Sequence, residues 1–133
     1  MRIVLDTNVL ISVLLNPHSS SATILRQILI GSVLLLADDR ILLEYEEVVI
    51  RPKFNFNKEH ALVICEFLRN QCIKIFPFPI AIHLPDKYDA PFIETAISGN
   101  ADFIITGNKK HFPAKSCKGI KIVNPTELLK FLA

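Results

Sequence analysis

Cysteine is scarce and poorly spaced for metal or redox chemistry. The three present, Cys65, Cys72 and Cys117, form no CxxC pair, so neither a zinc site nor a disulfide framework is indicated. Cys65 and Cys72 fall within one helical pattern and read as small buried apolar residues. Reduced thiols suit a cytosolic protein. An excess of charge is also missing. The formal net charge is +2, so composition alone does not mark a nucleic-acid binder, and phosphate recognition must come from a local basic patch. Long hydrophobic runs are absent too. "IGSVLLLA" is too short to span a membrane, and Asp6 interrupts the first apolar run before a cleavable leader can form. A soluble, cytoplasmic protein is therefore expected. No GxxxxGK[ST] or GxGxxG loop occurs, no GxSxG elbow, and no reactive Cys–His pairing.

What is present is a chain of 133 residues, 50% hydrophobic, which fits one domain over 1–133 with a single core. "RIVLD" and "SVLLLA" are apolar without alternation, as in strands covered on both faces. "IKIFPF", "DFIIT" and "IKIV" read as further short strands. Helical spacing runs through "SSATILRQILIG", with Ser20 or Ser21 as cap and Gly31 as stop. It recurs in "DDRILLEYEEVVIR", capped by Asp38 or Asp39. "NKEHALVICEFLRNQC" places Leu62, Cys65, Phe67, Leu68 and Cys72 inside. "PDKYDAPFIETAISGN" starts near Asp86–Asp89, and "NPTELLKFLA" closes the chain with Pro125 in its first turn. No repeat or linker is visible. Alternating strands and helices predict an α/β domain around a mostly parallel sheet of four to five strands. Ligands of such sheets bind beyond the carboxyl ends of the strands. Asp6, Asp38 and Thr106 each stand just past a predicted strand.

Asp6 is the anomaly of "MRIVLDTNVLI", because a carboxylate at the end of a buried strand is costly unless paired or metal-bound. A second acidic residue faces inward in "DAPFIETAI". Asp89 precedes the stripe Phe92, Ile93, Ala96 and Ile97 at helical spacing, although it also suits an N-cap before Pro91. In "LLEYEEVV", Glu47 lies opposite the apolar stripe, while Glu44 and Glu46 flank it; geometry prefers neither. Converging carboxylates raise one another's pKa, and a divalent cation removes that penalty. Mg²⁺ and Mn²⁺ favour such oxygen ligands. In "ADFIITGNKKHF", Thr106 and Asn108 are placed to supply oxygens or to support the ligands. Lys109, Lys110 and His111 follow, and Arg51 and Lys53 succeed the helix of Glu44. Phosphate binding is the functional reading of these cations, and a solvated loop the plain one.

"VLDTNVLIS", "LLEYEEVVIRPKF" and "DAPFIETAISGNADFIITGNKKHF" resemble the PIN domain family, in family order over residues 2–125. They look most like its branch of toxin–antitoxin components, the VapC-like nucleases. The resemblance implies a PIN-like three-layer α/β/α fold and a metal-dependent ribonuclease using Mg²⁺ or Mn²⁺. It implies acidic ligands at Asp6, at Glu44 (chosen over Glu46 and Glu47) and at Asp89, with Thr7 and Asn8 supporting the first. It also implies hydrolysis to a 3′-hydroxyl and a 5′-phosphate, a homodimer, and an antitoxin protein covering the cleft. The chain departs from the family at Asn108, where many members carry Asp, so a fourth negative charge would have to come from Asp86 or Asp102. A catalytically degenerate module that binds RNA or protein is the alternative that Asn108 raises. A phosphatase of the haloacid-dehalogenase type needs a second Asp where Asn8 stands. A receiver domain would place its key Asp after a middle strand.

Overall fold

Five short strands lie side by side, all parallel; the inner three are apolar runs with most of their residues buried, while the two edge strands carry the exposed Lys74 and Lys121. In the computed structural model, which describes residues 1–79 and 84–132, they are β1 (Arg2–Leu5), β2 (Leu34–Ala37), β3 (Ile73–Lys74), β4 (Phe103–Ile105) and β5 (Lys121–Val123), in the order β3-β2-β1-β4-β5. Ile3, Val4 and Leu5 are buried, as are Leu35, Leu36 and Ala37 and all three residues of β4. Covered faces of this kind need helices on both sides of the sheet. Six α-helices flank it among the described residues: α1 (Thr7–Leu15), α2 (Ser20–Leu29), α3 (Asp39–Val49), α4 (Lys58–Gln71), α5 (Ala90–Ser98) and α6 (Pro125–Leu132). The expected α/β class, parallel sheet and strand number are all present.

Several details differ from the sequence expectations. Ser19, not Ser20 or Ser21, caps α2, accepting from the Ala22 amide at 3.1 Å. Ser19 keeps an extended backbone (φ −74, ψ 164) just before the helical residues, the conformation of a cap whose oxygen reaches the amide three positions on. Gly31 ends α2 as expected, with φ +85, a conformation that costs a side chain strain. In α4 the inward residues are Ala61, Cys65 and Leu68, while Leu62 and Phe67 are exposed. The helix turns only a narrow stripe to the core, so only one residue per turn is covered. The third strand is two residues long, not the six of "IKIFPF", and Phe76 and Phe78 are exposed. Ala133, the expected end of α6, lies outside the described residues.

The topology selects one end of the sheet. From β1 the chain steps to β2 and β3 on one side, then crosses to β4 and β5 on the other. Between β1 and β4 the connections leave in opposite directions, which opens a crevice at the carboxyl ends of those two strands. Asp6 and Thr106 are the first residues past those strands. Asp6 donates its amide to Ile105 O at 2.9 Å, and Thr106 donates to Val123 O at 3.0 Å. The two side chains are thereby placed next to each other by the sheet itself.

Candidate active site

Asp6 lies at the N-cap of α1 yet makes no capping hydrogen bond. Its carboxylate turns instead to Thr106, whose Oγ1 lies 2.8 Å from Asp6 Oδ2. The same hydroxyl accepts from the Asn108 amide at 3.0 Å. An oxygen that accepts from an N–H directs its own proton elsewhere, so Thr106 donates to Asp6. Asp6 is buried. Burial raises its pKa, opposed by the bonds from Thr106 and the Thr7 amide and by the nearby charge of His111.

Glu44 arrives from α3. That helix starts at Asp38, which caps it properly through the Ile41 amide at 2.9 Å. One turn later the fully buried Tyr45 donates its hydroxyl to Leu5 O at 2.5 Å. Burial pushes the Tyr45 phenol well above its ordinary pKa, with Asp6 and Glu44 adding to the shift, so it stays a donor. This bond fixes α3 against the end of β1 and leaves the preceding residue, Glu44, beside Thr7, whose hydroxyl donates to it. Desolvation raises the Glu44 pKa; Thr7 and Arg51 oppose and Asp6 adds. The two glutamates that spacing left equal have different neighbours: Glu44 meets Thr7. Glu46 is held by Arg69 at 2.7 Å on the outer side, and Glu47 is exposed.

Asp89 ends a 3₁₀ turn (Lys87–Asp89) at the head of α5. It too occupies an N-cap position without capping. It is buried, and its Oδ2 has no hydrogen-bond partner among the described residues. His111 Nδ1 approaches that oxygen to 3.1 Å, but the pair lacks hydrogen-bond alignment, so the contact is ionic at most. Burial first, then the charges of Asp6, Asp86 and Glu44, raise the Asp89 pKa to about 6 against the opposing effect of His111. Glu44 thus feels the charge of Asp6, and Asp89 feels both, although the three come from separate elements.

A site of three desolvated carboxylates, one with a buried oxygen that makes no hydrogen bond, matches the hard-oxygen donor set of Mg²⁺ or Mn²⁺. Among the described residues no three His, Cys, Asp or Glu side chains already stand at coordination spacing.

The other predicted residues divide. Thr7 and Thr106 hold the first two carboxylates as described. Asn8 is exposed. Asn108 spends its Oδ1 capping the Lys110 amide at 3.3 Å. Asp86 is close enough to raise Asp89, but its carboxylate caps Tyr88. Asp102 is excluded as a fourth ligand: it precedes β4, accepts from the Arg2 amide at 2.8 Å and so sits at the opposite end of the sheet. Among the cations, Arg51 acts electrostatically on Glu44. Lys109 is paired with Glu127, Lys53 lies over the Phe54 ring, and Lys110 is exposed. Two features had no separate role in the sequence reading. Arg40 bridges Asp38 at 2.6 Å and Glu94 at 2.9 Å, joining α3 to α5. His111 stands over Asp89, signalled only by its position three residues after Asn108.

Residues 2–110 match the PIN domain model. This chain belongs to the PIN domain family. Among solved structures, this PIN domain is similar to VapBC2 from Rickettsia felis bound to a DNA fragment from its promoter (TM-score 0.61, 18% identity, covering 93% of this chain and 98% of that one). It is likewise similar to VapBC-1 from nontypeable Haemophilus influenzae (TM-score 0.61, 21% identity, 95% and 99% covered). FitAcB from Neisseria gonorrhoeae aligns with TM-score 0.57 at 19% identity, over 93% of this chain and 98% of that one. At such identities the likeness is one of fold. Comparison with curated proteins gives no significant match.

Proposed function

We propose that this PIN domain is a Mg²⁺- or Mn²⁺-dependent endoribonuclease, acting in the cytoplasm as the toxin component of a toxin–antitoxin pair. The observation that carries the reading is Asp89: a buried carboxylate at a helix head that does not cap, with one oxygen left without a hydrogen-bond partner, facing Asp6 and Glu44. Asp6, Glu44 and Asp89 would hold the cation. When bound, it neutralises phosphodiester charge and promotes attack of water at phosphorus. Thr106 and Thr7 fix the rotamers of Asp6 and Glu44. Arg51 and Lys110, with Lys53 further out, supply the positive rim against which RNA phosphates lie. Asn108 acts through its backbone and cap, not as a charged ligand.

A partner protein belongs to the same reading. The similar structures include VapBC and FitAB assemblies. The antitoxin is expected to cover the carboxylate crevice; the apolar groove of about 360 Å³ lined by Val13, Leu14, Leu25, Phe56 and Ile64 includes none of the three carboxylates. A homodimer is expected, and light scattering that returns the monomer mass across micromolar concentrations counts against it.

The test of activity is cleavage of labelled single-stranded RNA by purified protein with Mn²⁺, Mg²⁺ or EDTA, beside Asp6→Asn and Asp89→Asn. Metal-dependent shortening that drops at least about a hundredfold in either variant supports the nuclease. RNA retained without shortening supports the degenerate binding module instead.

A further inference from the structure

We propose that His111 is a nitrogen ligand of the same metal, completing the donor set that Asn108 does not complete and biasing the site towards Mn²⁺ over Mg²⁺. This inference rests on the metal-site reading above and extends it.

The placement of His111 follows from local geometry. It ends a 3₁₀ turn, Lys109–His111, whose N-cap is Asn108. Residues three apart eclipse in a 3₁₀ turn, so His111 projects on the side from which Asn108 departs. Asn108 itself is used as the cap. The turn is pinned at both ends. Lys109 is paired with Glu127. Phe112, fully buried, meets Phe92 of α5 edge-on with ring centroids 6.3 Å apart. Phe92 lies one turn beyond Asp89, so this aromatic contact sets the height of His111 over the Asp89 carboxylate.

The contact itself has the form of two ligands and not of a donor and an acceptor. An octahedral cation with bonds of about 2.1 Å holds neighbouring donor atoms about 3 Å apart. His111 Nδ1 and Asp89 Oδ2 are 3.1 Å apart. They do not align as a hydrogen bond, and Asp89 Oδ2 has no hydrogen-bond partner among the described residues. Two atoms that stand side by side without bonding each other leave room for a third that bonds both. His111 also acts electrostatically on Asp6, so it lies near both carboxylates. Imidazole suits first-row transition ions, whereas Mg²⁺ prefers oxygen and water. A nitrogen donor here therefore discriminates between the two.

The experiment is electron-spin-echo modulation of Mn²⁺ added to the full chain, unlabelled and labelled with ¹⁵N-histidine, beside His111→Gln, His111→Asp and Asp6→Asn. The expected result is a directly bonded ¹⁴N coupling in the wild type, replaced by ¹⁵N on labelling and lost in both His111 variants. His111→Gln should weaken Mn²⁺ at least about tenfold with little change for Mg²⁺, and His111→Asp should narrow the Mn²⁺/Mg²⁺ preference. Mn²⁺ that binds in an Asp6-dependent way without nitrogen coupling overturns the His111 ligand and leaves the carboxylate site standing. Coupling that persists in both His111 variants also overturns it. Mn²⁺ that fails to bind, or binds equally to Asp6→Asn, overturns both readings. If the variants do not fold, the labelled wild type still decides whether any histidine is a donor.

Discussion

Four aspartates precede helical turns, and the structure uses them in two ways. Asp38 and Asp86 bond the amides ahead of them. Asp6 and Asp89 hold the same kind of position and make no capping hydrogen bond. In sequence the four look alike, since an aspartate before a helix reads as a cap. What was legible was that Asp6 ends a buried strand and that Asp89 lies along an apolar stripe. What was not legible was that neither caps its helix, because that depends on where Thr106 and His111 come to rest. The same limit left Glu44 and Glu46 unresolved by spacing, since Arg69 lies on a different helix. For Asp89 the energetics have a sign. Its folded pKa of about 6 stands above the unfolded value of 3.8, so the folded state binds the proton more tightly. Its contribution to stability is full below pH 4, declines between pH 4 and 6, and is lost above. Asp89→Asn removes that dependence. In EDTA it should raise unfolding free energy by about 1–3 kcal/mol at pH 7.5 and change little at pH 4, as measured by urea denaturation. A variant no more stable at pH 7.5 contradicts the burial of this charge.

At the scale of elements, two side-chain ties set the distance between the helices that carry the carboxylates. Tyr45 joins α3 to β1 and Arg40 joins α3 to α5. The bond from Tyr45 to Leu5 O was not visible in the sequence. Arg40→Ala takes away the charge that Asp38 and Glu94 share and should cost about 1–3 kcal/mol. Arg40→Lys should recover little of it, because a single ammonium cannot reproduce the two-pronged contact. Thermal melts of the three proteins test this; a Lys variant equal to wild type contradicts the clamp. Tyr45→Phe should cost about 1–2 kcal/mol by the loss of one buried hydrogen bond. Element boundaries were the least legible feature. The third strand shrank to two residues because only Leu36 and Ala37 of β2 pair with it, a fact of register and not of composition.

At the scale of the molecule, the parallel α/β architecture was readable from alternating apolar runs and helical stripes. The strand order was not, because no local pattern states which side of β1 the fourth strand takes. That order creates the crevice between β1 and β4 in which Asp6 and Thr106 meet. A cation that binds only the folded chain stabilises it by mass action. Mn²⁺ at a hundred times its dissociation constant should add about 2.7 kcal/mol to unfolding, a rise of several degrees in melting temperature, and Asp6→Asn should abolish that rise. An equal rise in the variant places the ion elsewhere.

If Asp6, Glu44 and Asp89 hold one cation at this crevice, an anomalous-difference map from crystals of the wild-type chain soaked in Mn²⁺ shows a peak within bonding distance of all three carboxylates. A soak that leaves no peak there, or puts it only among Asp38, Arg40 and Glu94 or on the outer surface, contradicts that site.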